Sequence, residues 1–154
     1  MHRVGWAGGC GCRLRCATGA EFFPLQCNLT GQWWNDLGSN MTIDEVKKNG
    51  DFTGKYLTAV SGSTSNITAS PMVESQQLAN LSQPTFGFTV HWSFTDSITV
   101  FTGQCFVDEY GKEVLKTMWL LRSHVENIKN DWNATRVYHN YSRDLILDPG
   151  WQQS

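Results

Sequence analysis

The side chains best suited to chemistry in this 154-residue chain are aromatic rings that stand beside hydroxyls. Residues 85–95 alternate large apolar side chains with small or polar ones, and this period of two predicts a strand with one buried face. Rings make a rigid apolar wall, and the hydroxyls of the following turn, Thr95 and Ser97, can orient a molecule held against it. The segment therefore suits a small organic ligand, although taken alone it fits a plain core strand better. The large apolar positions are Phe86, Phe88, Val90, Trp92 and Phe94.

The next segment, residues 98–107, also alternates and follows after a short loop, so the two segments are predicted to form a hairpin. A hairpin would gather Trp92, Phe94, Thr99 and Phe101 near its turn. These residues mark the predicted corner of a binding site, if the remaining chain completes a container around it.

Catalytic and metal chemistry are not expected. The sequence has no nucleophile–base motif, no phosphate-binding loop, and no carboxylate pair on the aromatic strands, so we do not expect an enzyme or a cofactor. The histidines lack metal-ligand spacing, and the crowded cysteines near the amino end do not form a zinc signature. These residues are His91, His124 and His139, and Cys10, Cys12 and Cys16.

Composition favours a sheet protein. Charged residues are only 17%, while Thr, Ser, Gly and aromatic residues are frequent. A net charge of −2 gives no electrostatic reason to expect nucleic acid or an anionic membrane as a partner. No apolar run approaches the roughly 20 residues that span a bilayer. Six N-x-S/T sequons suit a secreted glycoprotein, and they begin at Asn28, Asn40, Asn66, Asn80, Asn133 and Asn140.

The chain divides into one domain between two tails. Residues 1–26 are rich in Gly, Cys and Arg without a period, and are interpreted as a leader remnant or disordered tail. Residues 27–145 form the predicted domain, and residues 146–154 a polar tail. The domain contains eight alternating segments joined mostly by short turns, with no crossover helix. The segments are 29–36, 41–46, 52–60, 71–78, 85–95, 98–107, 112–125 and 132–145.

These features predict an all-β fold, an eight-stranded antiparallel up-and-down β-barrel, because closure of the sheet removes exposed edges. A barrel of eight strands can hold one small ligand. The segment 112–125 has apolar residues on both parities, so one of its faces is expected to pack against another subunit.

Four stretches stand out as longer sequence motifs: LTGQWWNDLGSNMT at 29–42, QPTFGFTV at 83–90, GKEVLKTMWLLRS at 111–123 and DWNATRV at 131–137. Together they resemble the avidin/streptavidin family of biotin-binding proteins, and most closely the avidins of vertebrates. The resemblance covers nearly everything outside the tails, and it implies an eight-stranded barrel, a homotetramer, and biotin in the barrel mouth.

The resemblance implies a role for each matching residue. Asn35, Ser39 and Tyr56 match donors to the ureido oxygen of biotin, and Thr58 and Asn140 match partners of its two nitrogens. The remaining positions match the apolar ring site and the groups that receive the carboxylate. The ring-site positions are Trp33, Trp92, Phe94, Phe101 and Trp119, with Thr99 near the sulfur, and the carboxylate positions are Thr95, Ser97, Ser61, Gly62 and Ser63.

The resemblance also implies features of assembly. Trp132 matches a tryptophan that caps the site of a neighbouring subunit, and Cys27 and Cys105 match an intramonomer disulfide. Interface positions are Met118, Val137 and His139, and Asn40 is the candidate for a glycan. The expected function is high-affinity sequestration of biotin by a secreted homotetramer. Two alternatives are a lipocalin-like carrier of another small apolar ligand, which gives no reason for the neutral donors, and a secreted structural glycoprotein without a working site.

Overall fold

A computed structural model describes residues 26–138 and 145–147 of the chain. Within these residues the chain forms nine strands and one short 3-10 helix, numbered here in chain order. The strands are β1 Gly31–Trp34, β2 Asn40–Ile43, β3 Asp51–Leu57, β4 Ser70–Gln76, β5 Thr85–His91, β6 Ser97–Val107, β7 Glu113–Ser123, β8 Thr135–Tyr138 and β9 Leu145–Leu147, and the helix is Ile128–Asn133.

The strands form one antiparallel sheet in which each of the first seven pairs with its neighbour in sequence. Strand β9 pairs with both β1 and β7, so the sheet closes on itself. Strand β8 pairs with the other half of β7. Eight strand positions therefore surround the core, with the last position shared by β8 and β9, and the predicted up-and-down barrel is confirmed.

The last predicted strand, 132–145, begins too early. Residues Ile128–Asn133 form the 3-10 helix, and the strand β8 starts only at Thr135. Asn127 caps this helix, because its side-chain oxygen accepts the backbone N–H of Lys129 at 3.1 Å. Trp132, which was predicted to begin the last strand, therefore lies in the helix. None of the helical segments in the described ranges has the length and apolar character to span a bilayer.

Alternation along the strands places every second side chain in the core. The core is strongly aromatic, and the rings of Phe88 and Phe101 stack with centroids 4.3 Å apart. The disulfide Cys27–Cys105 joins the segment before β1 to strand β6, and both cysteines are buried. The disulfide that the family resemblance implies is thereby confirmed.

The outward side of β6, β7 and β8 is apolar. Val100, Leu120 and Val137 are register partners across the three strands, and each is exposed. Met118, two residues from Leu120 on the same side of β7, is also exposed. This apolar outer face, formed by Val100, Met118, Leu120 and Val137, is the second apolar side that the sequence of β7 predicts.

One acidic residue lies in the core. Glu74 of β4 stands opposite Phe52 and Phe88 on the neighbouring strands, and only 4% of it is exposed. Neither of its carboxyl oxygens has a hydrogen-bond partner. Burial, and secondarily the charge of Asp44, raises the pKa of Glu74 to about 9. The side chain is therefore protonated and uncharged at neutral pH.

Candidate functional site

A cavity of about 600 Å³ lies at the barrel end bounded by the β3–β4 and β5–β6 loops. It brings together residues from five separate stretches of the chain, and these include most of the predicted ligand-binding residues. The predicted residues that line it are Asn35, Ser39, Tyr56, Thr58, Ser61, Gly62, Ser63, Trp92, Phe94, Thr95, Ser97, Thr99, Phe101 and Trp119.

The tight turn between β1 and β2 presents hydrogen-bond donors to the cavity. Gly38, at φ 84°, allows a turn in which the side-chain oxygen of Asn35 accepts the backbone N–H groups of Leu37 and Ser39, at 3.1 and 2.9 Å. The hydroxyl oxygen of Ser39 in turn accepts the N–H of Ala59 at 3.0 Å. Because backbone groups use these acceptors, Asn35 offers its amide N–H and Ser39 its O–H to a ligand.

Tyr56 connects this polar corner to the aromatic wall. It is buried on β3, with its ring edge-on to Trp92 at 5.8 Å and stacked on Phe101 at 5.5 Å. These contacts hold the ring in one place. The phenol of Tyr56 therefore lies in the same cavity as the side chains of Asn35 and Ser39.

The aromatic wall is held by contacts that the sequence pattern does not reveal. The indole N–H of Trp92 donates to the hydroxyl of Thr99 at 2.8 Å, which locks the orientation of that ring. The ring centroids of Trp92 and Phe94 are 5.8 Å apart, and those of Phe101 and Trp119 are 6.4 Å apart. The wall forms a rigid apolar slot that suits a compact ring system.

Hydroxyl groups surround the outer part of the cavity. The hydroxyls of Thr95 and Ser97 hydrogen-bond to each other. In the opposite loop Ser61 and Ser63 accept the backbone N–H groups of residues two positions ahead, at 3.0 and 3.1 Å. Thr58 donates its proton to the carbonyl of Val60 at 2.8 Å, so towards a ligand its oxygen can act only as an acceptor.

Comparison with known proteins identifies the family of this chain. The model of the Avidin family matches residues 23–144. The chain belongs to the avidin family. It is 62% identical to Avidin-related protein 4/5 of Gallus gallus over 119 residues, which cover 77% of this chain and 79% of that protein. It is 61% identical to Avidin of Gallus gallus over 113 residues, which cover 73% of this chain and 74% of that protein.

Solved structures of similar proteins share the fold. The crystal structure of Xenavidin is 52% identical, with a TM-score of 0.72, over 79% of this chain and 98% of that one. The structure of a biotin binding protein from chicken is 48% identical, with a TM-score of 0.73 and the same coverage of both chains. The eight-position closed sheet is therefore the family architecture.

The structure places Trp33 in the core and not on the cavity wall. Its exposed fraction is 0%, and its indole N–H donates to the carbonyl of Leu29 at 2.8 Å. The hydrogen bond to Leu29 directs the indole N–H of Trp33 towards the backbone that precedes β1, and not towards the cavity. Trp33 is therefore not among the residues that line the cavity.

Several lining residues were not predicted from the sequence. Thr117, Leu121 and Ser123 share the parity of Trp119 on β7, so strict use of the alternation would have found them. Arg136 stands opposite Leu121 on β8, a pairing that only the register reveals. The other unpredicted residues that line the cavity are Val60, Ser65 and Asp96.

Trp132 lies outside the cavity of its own chain. It sits in the 3-10 helix with 81% of its surface exposed. An ion pair of 2.7 Å between Arg122 and Asp131, and a 3.1 Å hydrogen bond from Arg122 to Thr135, fasten the helix region to β7. Two further predicted residues, Asn140 of the ligand set and His139 of the interface, lie outside the described residues.

Proposed function

We propose that this protein binds biotin without turning it over, and that the ureido group enters the corner formed by Asn35, Ser39 and Tyr56. The observation that carries this proposal is the engagement of the Asn35 and Ser39 acceptors by backbone N–H groups, which leaves donors for the ligand. The ureido oxygen of biotin carries extra negative charge, because its carbonyl is conjugated with two nitrogens. Neutral hydrogen-bond donors that converge on this oxygen stabilise that charge. Thr58, and Asn140 by family resemblance, would accept the ureido N–H groups.

The remaining cavity suits the rest of the same ligand. The slot between Trp92, Phe101 and Trp119 would enclose the bicyclic ring, with Thr99 near its sulfur. The valerate carboxylate would reach the hydroxyls of Thr95, Ser97 and the 61–63 loop. A volume of about 600 Å³ falls within the range of small-molecule sites. The similar proteins named Avidin and biotin binding protein from chicken support the same ligand.

We further propose a homotetramer in which subunits meet through the apolar outer face. Val100, Met118, Leu120 and Val137 present exposed apolar side chains that a second copy could cover. In a symmetric assembly each such residue meets the same surface of its partner. Trp132 would then cap the cavity of a neighbouring subunit, and His139 would lie near a twofold axis.

Secretion and sequestration of biotin complete the proposal. The buried disulfide suits an oxidising compartment, and the sequons suit passage through the secretory route. Asn40 is partly exposed at the start of β2 and is proposed to carry a glycan. A site that holds a vitamin tightly and releases it slowly would lower its free concentration.

Native mass spectrometry of the full chain with and without biotin tests this proposal. The expected result is a tetramer that takes up four biotin molecules. A biotin analogue with sulfur in place of the ureido oxygen should dissociate faster, because sulfur is a weaker acceptor. Failure to bind biotin at micromolar concentration, together with tight binding of an apolar ligand such as retinol, would establish the lipocalin-like alternative instead.

A further inference from the structure

The loop between β4 and β5, residues 77–84, carries the sequon Asn80-Leu81-Ser82. We propose that Asn80 is an N-glycosylation site whose carbohydrate stands at the end of the barrel opposite the ligand cavity. This inference rests on the proposed passage of the chain through the secretory pathway, and its test is independent of biotin binding.

The geometry of the sequon fits an asparagine that carries a sugar. The side-chain oxygen of Asn80 accepts both the backbone N–H of Ser82, at 3.1 Å, and its hydroxyl, at 2.6 Å. The nitrogen, which is the atom that takes the sugar, lies on the other side of the amide, and Asn80 is exposed. A glycosylated amide keeps its carbonyl oxygen, so both hydrogen bonds survive the modification.

In two of the other described sequons the hydroxyl forms its hydrogen bond elsewhere. In the sequon of Asn28, the hydroxyl of Thr30 donates to the carbonyl of Asp44 at 3.2 Å. In the sequon of Asn133, the hydroxyl of Thr135 accepts a hydrogen bond from Arg122. Among the residues that the structure describes, Asn80 is the sequon asparagine whose own amide is held by the hydroxyl two residues ahead.

The position of the loop leaves the cavity open. Strand β4 begins at Ser70, opposite Tyr56 of the cavity, and ends at Gln76, where it pairs with Phe86. The loop therefore extends from the other end of the barrel. It is anchored there, because the carbonyl of Ser82 accepts the N–H of Cys27 at 2.8 Å beside the disulfide.

A carbohydrate at this position also accounts for two exposed leucines. Leu78 and Leu81 lie in the same loop, and both are exposed to solvent. Sugar rings have apolar faces, and a bulky glycan on Asn80 would shield these side chains from water and from other proteins. The glycan would thus solubilise an end of the barrel that no part of the proposed ligand site uses.

The test is peptide mapping of the full chain, produced with a leader that directs it into the secretory pathway of a eukaryotic cell. Enzymatic deglycosylation in heavy-oxygen water should convert Asn80 into labelled aspartate. The variants Asn80→Gln and Ser82→Ala should each lose the mass of one glycan, whereas Ser82→Thr should keep it. An Asn80 that remains unmodified in the secreted wild-type protein overturns the proposal.

Biotin dissociation, measured on the same samples, separates this inference from the proposed function. We expect Asn80→Gln and wild type to release biotin at the same rate, because the loop lies far from the cavity. A glycosylated Asn80 in a protein that does not bind biotin would refute the function and leave the glycan site intact. An unmodified Asn80 in a protein that binds biotin would refute only the glycan site. A glycan whose removal changes the release rate would contradict its placement at the far end.

Discussion

The side-chain oxygen of Asn35 accepts the backbone N–H of Ser39 at 2.9 Å, across the turn that joins β1 to β2. One side chain thereby shapes the turn with its oxygen, and its nitrogen is the group that we propose contacts the ligand. These two roles can be separated by substitution, because aspartate keeps the acceptor and loses the donor.

The variant Asn35→Asp should keep the barrel stable and release biotin faster. A lost buried hydrogen bond costs about 1–3 kcal/mol, and the new carboxylate would also repel the ureido oxygen. The measurements are biotin dissociation rates and thermal unfolding of the ligand-free protein. Asn35→Ala is the matched control, since it removes both roles and should lower stability as well. An unchanged dissociation rate in Asn35→Asp would remove Asn35 from the site.

Tyr56→Phe tests the third donor of the same corner. The substitution removes one hydroxyl and keeps the ring contacts with Trp92 and Phe101. We expect biotin binding to weaken by about 1–3 kcal/mol, with little change in the aromatic circular dichroism of the ligand-free protein. Wild-type affinity in this variant would show that the phenol does not touch the ligand.

Trp132→Lys should weaken both assembly and biotin binding while the single barrel stays folded. Trp132 is 81% exposed in one chain, so its replacement removes no core packing. A buried aromatic anchor at an interface is often worth about 2 kcal/mol or more. Sedimentation and biotin release report the two effects. Tyr110→Lys, which changes another exposed aromatic in the β6–β7 turn, is the control and should behave as wild type. If Trp132→Lys assembles and binds biotin as wild type does, Trp132 does not cap the site of a neighbouring subunit.

Glu74→Gln should change how stability depends on pH. The pKa of Glu74 is about 9 in the folded protein, against 4.5 in the unfolded chain, so between these values the folded state binds the extra proton. The stabilisation that this proton provides is complete below pH 4.5 and is lost as pH rises towards 9. Wild type should therefore lose about 1.4 kcal/mol per pH unit relative to Glu74→Gln over this window.

Urea unfolding of wild type and Glu74→Gln between pH 5 and pH 10 measures this difference. Glu126→Gln, which alters an exposed carboxylate, provides the control and should follow wild type at each pH. Parallel pH profiles for wild type and Glu74→Gln would contradict the buried, protonated state of Glu74.

The double variant Cys27→Ser with Cys105→Ser should unfold at lower temperature. The cysteines are 78 residues apart in sequence, and in the chain-entropy model a cross-link over such a loop stabilises the folded state by about 4.5 kcal/mol, because it restricts the unfolded chain. Calorimetry of the ligand-free protein measures the loss. The same melting temperature in wild type and double variant would mean that the strand pairs alone hold the barrel.

The sequence predicted the strands well because one face of each is buried, which forces a period of two onto residues such as Phe86, Phe88 and Val90. The alternating pattern predicted the corner of the cavity around Trp92, Phe94, Thr99 and Phe101, and the family resemblance supplied most of the other predicted residues that line it. Trp33 shows the limit, since its role depends on whether its indole bonds to Leu29 or faces the ligand. Arg136 shows another limit, because its place opposite Leu121 depends on a register that local pattern does not determine.

Glu74 breaks the usual alternation of buried apolar and exposed polar residues, because it is a charged residue type at a buried position of β4. Its parity on β4 matches the buried Ser70 and Met72, although a charged residue is usually found at the surface. The segment 71–78 was predicted as a weaker strand, shallow or at an edge, but β4 pairs with both β3 and β5. Burial among Phe52 and Phe88 is tolerated because the carboxyl gives up its charge. Protonation is a property of the folded environment and has no signature in the sequence.

The pairing of β1 with β9, which closes the sheet, affects the order in which the barrel forms. These strands come from opposite ends of the described chain, so their contact is the most distant in sequence, and such contacts are slow to form. A growing chain that lacks β9 already contains the β1–β2 turn with Asn35 and Ser39, and all the residues of the aromatic wall. Its sheet is still open, because β1 has no partner to pair with on that side. The barrel around the cavity would therefore close only after β9 has been made and has paired with β1.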